Sequence, residues 1–388
     1  MKNSKIYFLS HIIFIILFFS LIYFLHANKA KTYTNGKFSK LSDFICPIIE
    51  YREHWIKTKK HDIRLLKKAI YKQFLNPDYL IRRNVVEALG ELNEKNTLEF
   101  LWDIYQNDPI LSVRHAAVTA ICEYGDNHKE HKKETLKYIL RILDTEPSDL
   151  IRLEALNGFS TLENPIYLDV LKEFFSKEED DINQTYIACL MADWGDLSEI
   201  QYIKDMLLIE AETEKRKNAS QIIGELNIDM MPTLNEAWDK EKDPYVRLEL
   251  AAAFHKKGDP RGLPYLKGII SETKDLNLKL YTVRILCSIN EQEFTYPFLL
   301  ELLDKGDYIT REMVIEDLVN FQTPDIEKIL GKILLSDSSN IVREIDAWAF
   351  GERKDIKNLH YLEQALNDKD PFVRTGTCVA IYKILINK

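Results

Sequence analysis

The residues able to do chemistry are few and scattered. His128 and His131 lie in Asp126-Asn127-His128-Lys129-Glu130-His131, and a spacing of three puts both on one face of a helix. A bound transition metal needs three or four protein ligands, and the neighbouring sequence does not supply them, so a solvated loop is expected there. The five cysteines, Cys46, Cys122, Cys189, Cys287 and Cys378, are odd in number and widely spaced, with no CxxC pair. They form neither a disulfide framework nor a zinc site. Asp317 and Asp346 occupy positions that are otherwise apolar or small in the repeat described below. A carboxylate buried there needs a partner, for which Arg311, Arg343 and Arg284 are the candidates, and a structural ion-pair cluster is the expectation. No convergent set of nucleophile, base and oxyanion donor is visible. The chain is therefore expected to have no catalytic residues, no metal and no cofactor.

The elements that must carry these residues begin with Ile6 to Leu25, twenty residues without a charge. A helix of that length spans about 30 Å, the thickness of a bilayer core. It is longer than the apolar core of a usual signal peptide, and Leu25-His26-Ala27 is a poor cleavage site. Residues 1–26 are thus read as a transmembrane anchor, with a cleaved signal as the alternative. Lys2 and Lys5 favour an N-terminus kept in the cytoplasm and a body on the extracytoplasmic side. Lys29, Lys31, Lys37 and Lys40, and the unpaired cysteines, pull the other way.

Residues 27–61 have little periodicity and read as a basic juxtamembrane neck. Residues 27–75 carry 12 Lys/Arg against 4 Asp/Glu, whereas residues 76–388 carry 38 against 57. A basic neck beside an apolar span suits anionic lipid headgroups, or is a solvated stalk. The acidic body argues against nucleic acid, whose phosphates need clustered Lys and Arg.

From residue 62 the chain repeats. Alignment on the residue that follows the apolar position of "Val-Arg" gives Arg82, Arg114, Arg152, Gln184, Arg216, Arg247, Lys279, Arg311, Arg343 and Arg374, at steps of 31 or 32 with one expansion to 38. A register held over ten units marks a repeat array. Four residues before each stand Asp78, Ile110, Ser148, Asp180, Glu212, Asp243, Asp275, Asp307, Ser339 and Asp370, mostly side chains able to cap a helix start. Pro244 and Pro371 follow at the first helical position. Seven residues after each stand Leu89, Ile121, Phe159, Met191, Ile223, Phe254, Leu286, Leu318, Phe350 and Ile381, all apolar, as one stripe of an inner helix requires. Gly90, Gly224 and Gly351 are expected to end or follow that helix.

The motifs Asp243-Pro244-Tyr245-Val246-Arg247, Gly258-Asp259-Pro260 with Leu263-Pro264-Tyr265-Leu266, and Asp370-Pro371-Phe372-Val373-Arg374 resemble the HEAT-like repeat family, and most closely its phycobilisome-lyase type. The resemblance covers roughly residues 62–388. It implies an all-α, right-handed α-solenoid of about ten two-helix repeats. It also implies that the recurrent arginines form a ladder with acidic residues: Arg82, Arg114, Arg152, Arg216, Arg247, Arg311, Arg343 and Arg374, weakened at Gln184 and Lys279. Three enzyme classes share such repeats. Deoxyhypusine hydroxylases hold two irons with His-Glu pairs, and none of the nine histidines here is followed by Glu. Alkylpurine DNA glycosylases need a basic concave face. No residue set here identifies bilin transfer.

What is left is a surface. Offsets of one, two and five residues from the register position are expected on the inner-helix face. There Tyr281, Arg284, Glu312, Glu316, Glu344 and Trp348 form a candidate partner site, with an exposed Trp among charges. The function expected is a membrane-anchored or exported scaffold that binds protein or peptide partners, preferably basic ones, on its concave face. No nucleic acid or small-molecule substrate is expected. A lyase or protein-modifying enzyme of the same repeat type, and a purely structural tether, are the alternatives.

Overall fold

The computed structural model describes residues 42–91, 96–161, 167–323 and 325–386; among them are 21 α-helices and no strand. The expected membrane segment and the neck as far as residue 41 lie outside the described residues. No helix among the described residues is long and apolar enough to cross a membrane.

The first two helices, α1 (Ser42–Thr58) and α2 (Ile63–Lys72), precede the first register residue. From there every odd-numbered helix carries one: α3 (Tyr79–Glu87), α5 (Leu111–Asn127), α7 (Asp149–Ser160), α9 (Asp181–Asp193), α11 (Thr213–Glu225), α13 (Pro244–Lys256), α15 (Leu276–Ser288), α17 (Tyr308–Leu318), α19 (Asn340–Arg353) and α21 (Pro371–Ile386). The even-numbered helices connect them: α4 (Thr97–Asn107), α6 (Lys132–Thr145), α8 (Leu168–Lys177), α10 (Ile200–Leu208), α12 (Met231–Lys240), α14 (Gly262–Glu272), α16 (Gln292–Lys305), α18 (Ile326–Ser336) and α20 (Leu359–Ala365).

The local rules that start and stop these helices are those of the sequence. Asp78, Asp180, Asp243, Asp275, Asp307, Ser339 and Asp370 each accept a backbone N–H of the first turn through the side chain. Ser148 makes no such bond. Gly258, at φ +80°, ends α13 with the paired bonds of a left-handed cap, Gly258 N to His255 O and Asp259 N to Phe254 O. The ten apolar residues seven positions beyond the register are at most 1% exposed. Each such side chain contributes about 1.5–3 kcal/mol by leaving water, so this one column is a large part of the core. Gly224 and Gly351 do something other than end a helix. They lie within α11 and α19, where a Cβ would stand 3.1 Å from Cα of Ala253 and of Ala380. Their role is to let the next register helix approach closely.

The helices group into two compact units. One comprises residues 139–298, in which α7, α9, α11, α13 and α15 pack in sequence order. The other joins the described residues 42–138 with residues from 299 onward. In this second unit α17 packs on α19 and α19 on α21; α21 then packs on α2 and α3, and α3 on α5. The first repeat of the chain thus follows directly on the last. Residues 42–61 differ from the expected neck: α1 packs on α2 and α21, with Tyr51 and Trp55 buried. The helical body therefore begins by Ser42, not at residue 62.

Candidate binding face

Five of the register arginines pair with carboxylates that the motif does not display. Arg82 donates from Nε and Nη2 to Asp108 at 2.9 and 3.1 Å, and from Nη1 to the Asn76 carbonyl at 2.7 Å. Arg216 repeats this with Glu241 and the Glu210 carbonyl, Arg311 with Asp337 and the Gly306 carbonyl, and Arg343 with Asp368 and the Asp337 carbonyl. Arg152 reaches Glu178 with Nε at 2.8 Å and the Glu146 carbonyl at 3.0 Å. Each acid stands six residues before the next register position and also accepts the N–H two residues on, as Asp337 does from Ser339 and Asp368 from Asp370. One carboxylate thus stitches a loop and links two repeats. The signal was present as a column of Asp and Glu six residues ahead of the register, overshadowed by the Asp of the Asp-Pro pair two residues later. Gln184 keeps the carbonyl bonds, to Phe175 and Glu178, without a charge. Arg247 departs from the ladder, with its guanidinium 4.0 Å from the Trp238 ring centroid and Nε on the Tyr265 hydroxyl at 3.4 Å. Arg114 makes one long bond, 3.4 Å, to the Asp108 carbonyl.

The six residues of the candidate partner site fall in both units. In the unit of residues 139–298, Tyr281 of α15 donates its hydroxyl to Glu249 of α13, which also accepts from Gln221 of α11 at 3.2 Å. The Tyr281 ring meets Tyr245 edge-on with centroids 5.2 Å apart, and the Lys217 ammonium lies 5.6 Å from it. Burial pushes the Glu249 carboxyl up, and burial with the Glu249 charge pushes the Tyr281 phenol up. Tyr281 is therefore a bridge across three repeats and not a free recognition group. Arg284 is half-buried on the same helix.

In the second unit Glu312 and Glu316 of α17 and Trp348 of α19 are half-buried. Trp348 is thus less open than the sequence indicated. Glu344 is buried outright, because it lies across α21. Gly376 of α21 leaves the space: a Cβ there would stand 2.6 Å from Glu344 Oε1. Through that gap Glu344 of α19 accepts a hydrogen bond from Asn84 Nδ2 of α3, with Arg83 bonded to Asn84 at 3.3 Å and to Glu87 at 3.7 Å. Burial pushes Glu344 up to about 8; the Arg83 charge opposes this, while Glu87 and Glu312 add to it. Glu312 is raised by burial too.

A second polar row crosses the same junction at the other end of these helices. Lys383 of α21 binds Glu352 of α19 at 2.6 Å and Glu91, in the 3-10 turn after α3, at 2.8 Å. Glu91 also accepts from Lys354 at 2.8 Å. Glu123 of α5 is pushed up to about 8 by burial, partly offset by Lys383. Lys383, Glu352, Glu91 and Glu123 share one offset, nine beyond the register, and Glu225 with Lys256 repeats the contact in the other unit. The sequence reading did not use this column.

The buried acids differ from expectation as well. Asp346 is 0% exposed, and its expected partners Arg311 and Arg343 are taken by Asp337 and Asp368. Burial pushes its carboxyl well above the usual range. Asp317 is half-buried. The rings of His128 and His131 pack on Tyr124, with centroids 4.6 and 5.3 Å away. Among the described residues no group of three His, Cys, Asp or Glu is arranged to hold a metal ion. Cys122, Cys189, Cys287 and Cys378 are buried thiols.

Residues 296–382 match the HEAT repeats family. The described residues are all-α, and the matched segment spans α17 to α20 and most of α16 and α21. Human deoxyhypusine hydroxylase in complex with glycerol is a solved structure similar to it at 16% identity, covering 84% of this chain and 97% of that one with a TM-score of 0.30. Nothing about this chain follows from a likeness that low. No curated protein matches the chain in sequence.

Proposed function

We propose that the protein is a scaffold, not an enzyme, and that it binds a basic segment of a protein partner along the register-helix face of the second unit. Supporting this, Arg83 pairs with Glu87 and its charge also acts on Glu312 and Glu344, the two carboxyls that burial raises. A lysine or arginine side chain placed there would let these acids ionise, gaining attraction as it displaced protons. The acidic balance of residues 76–388 agrees with such a partner. Residues 6–25 would tether the scaffold to a membrane, with the helical body on the extracytoplasmic side.

Fluorescence anisotropy with a labelled Lys/Arg-rich peptide tests the reading. Affinity is expected to fall about tenfold or more between 50 and 300 mM salt and to weaken in Glu312→Gln/Glu316→Gln. Binding indifferent to both salt and substitution would exclude a basic partner on this face.

A further inference from the structure

Among the described residues, Arg374 of α21 has no carboxylate in the position that the ladder acids fill. Arg82, Arg152, Arg216, Arg311 and Arg343 each place Nε on a carboxylate of the following repeat. Arg374, the last register arginine, has only Nη1 bonded, to the Asp368 carbonyl at 2.6 Å, and its Nε is buried without a partner. The acids around it are committed elsewhere. Asp368 holds Arg343 with both oxygens, and Asp370 caps Phe372 N and accepts from Asn340. Among the described residues no carboxylate is bonded to Arg374. Instead α1 packs on α21 and brings a second guanidinium, Arg52, close enough for its charge to disfavour the ionised Arg374, after burial itself. The Arg52 Nε is likewise buried without a partner.

Two like-charged guanidiniums close together repel, and each presents a fork of N–H donors matched to an oxyanion. The geometry points to an oxyanion site between Arg52 of α1 and Arg374 of α21, taking a carboxylate or a phosphate group in the place that the ladder's acid fills in the other repeats. Bound there, the anion would satisfy both orphaned Nε–H groups and screen one cation from the other. Both residues are half-buried, so the site is open to a small anion or to a single acidic group. It would fasten α1 to α21.

The test uses the full-length protein in chloride buffer, titrated with inorganic phosphate or with N-acetylglutamate at matched ionic strength and followed by thermal melting. At least one of the two is expected to raise the melting temperature saturably, by about 2 °C or more, where added chloride does not. A response to phosphate alone names a phosphate group, and a response to N-acetylglutamate names a carboxylate. Arg52→Gln should abolish the response and, without added anion, melt above the parent, since it removes the repulsion. Arg52→Glu should do the same by supplying the carboxylate from α1. Arg374→Gln should also abolish the response; if it does not fold, the two Arg52 variants decide alone. No saturable shift with either probe, or a full shift retained in Arg52→Gln, would overturn the assignment.

Discussion

Removing Asp368 should cost more than any other single change in the ladder of the second unit, because its pair is the most enclosed. The Arg343 side chain is 4% exposed and that of Asp368 10%, against 12–18% for the arginines of the other ladder pairs. Asp368→Ala leaves Arg343 Nη1 on the Asp337 and Ser338 carbonyls but orphans Nε and Nη2, and strips an acceptor from Asp370 N. Breaking a buried pair from one side costs about 3–5 kcal/mol, and the edge of the site open to water puts the expectation near about 3 kcal/mol. Arg343→Met alone should cost a similar amount. The double variant should cost about 2 kcal/mol less than the sum, because no buried charge is then left unpaired. Hydrogen exchange with mass spectrometry over residues 340–386 reads this locally, about 3 kcal/mol appearing as roughly a hundredfold faster exchange in α19 and α21. The pH dependence has a definite sign. Burial raises the Asp368 carboxyl, but the Arg343 bonds and the Asp370 N–H bring it below its ordinary value. Its stabilisation is thus complete above the ordinary carboxylate range near about 4 and is lost as pH falls through the lower, folded value. Asp368→Ala should lack that acid-side loss. Exchange in Asp368→Ala within about 0.5 kcal/mol of the parent, or additive single costs, would refute the ladder as an energetic link.

Gly376→Ala should push Glu344 off Asn84, since a Cβ would lie 2.6 Å from its carboxylate oxygen; a loss of about 1–3 kcal/mol by urea unfolding is expected. Glu344 holds a proton in the folded protein up to about pH 8 that the unfolded chain has released by about pH 4.5, so stability falls as pH rises through that window. Glu344→Gln should flatten the slope measured between pH 5.5 and 8.5, leaving the share owed to Glu123. Lys383→Met leaves Glu352 unpaired and Glu91 with Lys354 alone. It should cost about 3 kcal/mol and speed exchange both in α3 and in α21, far apart in sequence; a change confined to α21 would refute the bridge.

The sequence by itself determined the repeat and almost everything inside it. The register of Arg82 to Arg374, the capping Asp and Ser residues and the ten-member apolar column are local patterns. Helix capping and helical periodicity act within a few residues, so one strand of letters displays them. The ladder's arginines were legible and its acids half so, because each acid lies six residues from one register position and 25 or 26 from the arginine it holds. Only the tertiary structure decided that α21 packs on α2 and α3, which rests on contacts such as Asn84 with Glu344 and Lys383 with Glu91. Such pairs are separated by some 260 to 300 residues and follow no period, so no spacing announces them. The same packing turned Glu344 from a surface acid into a buried one lying over Gly376, and drew α1 out of the expected neck into the core. It also brought Arg52 of α1 close enough to act on the charge of Arg374. A repeat encodes what each unit does with its neighbour in sequence; the packing of α21 on α2 and α3 joins helices that no local pattern connects.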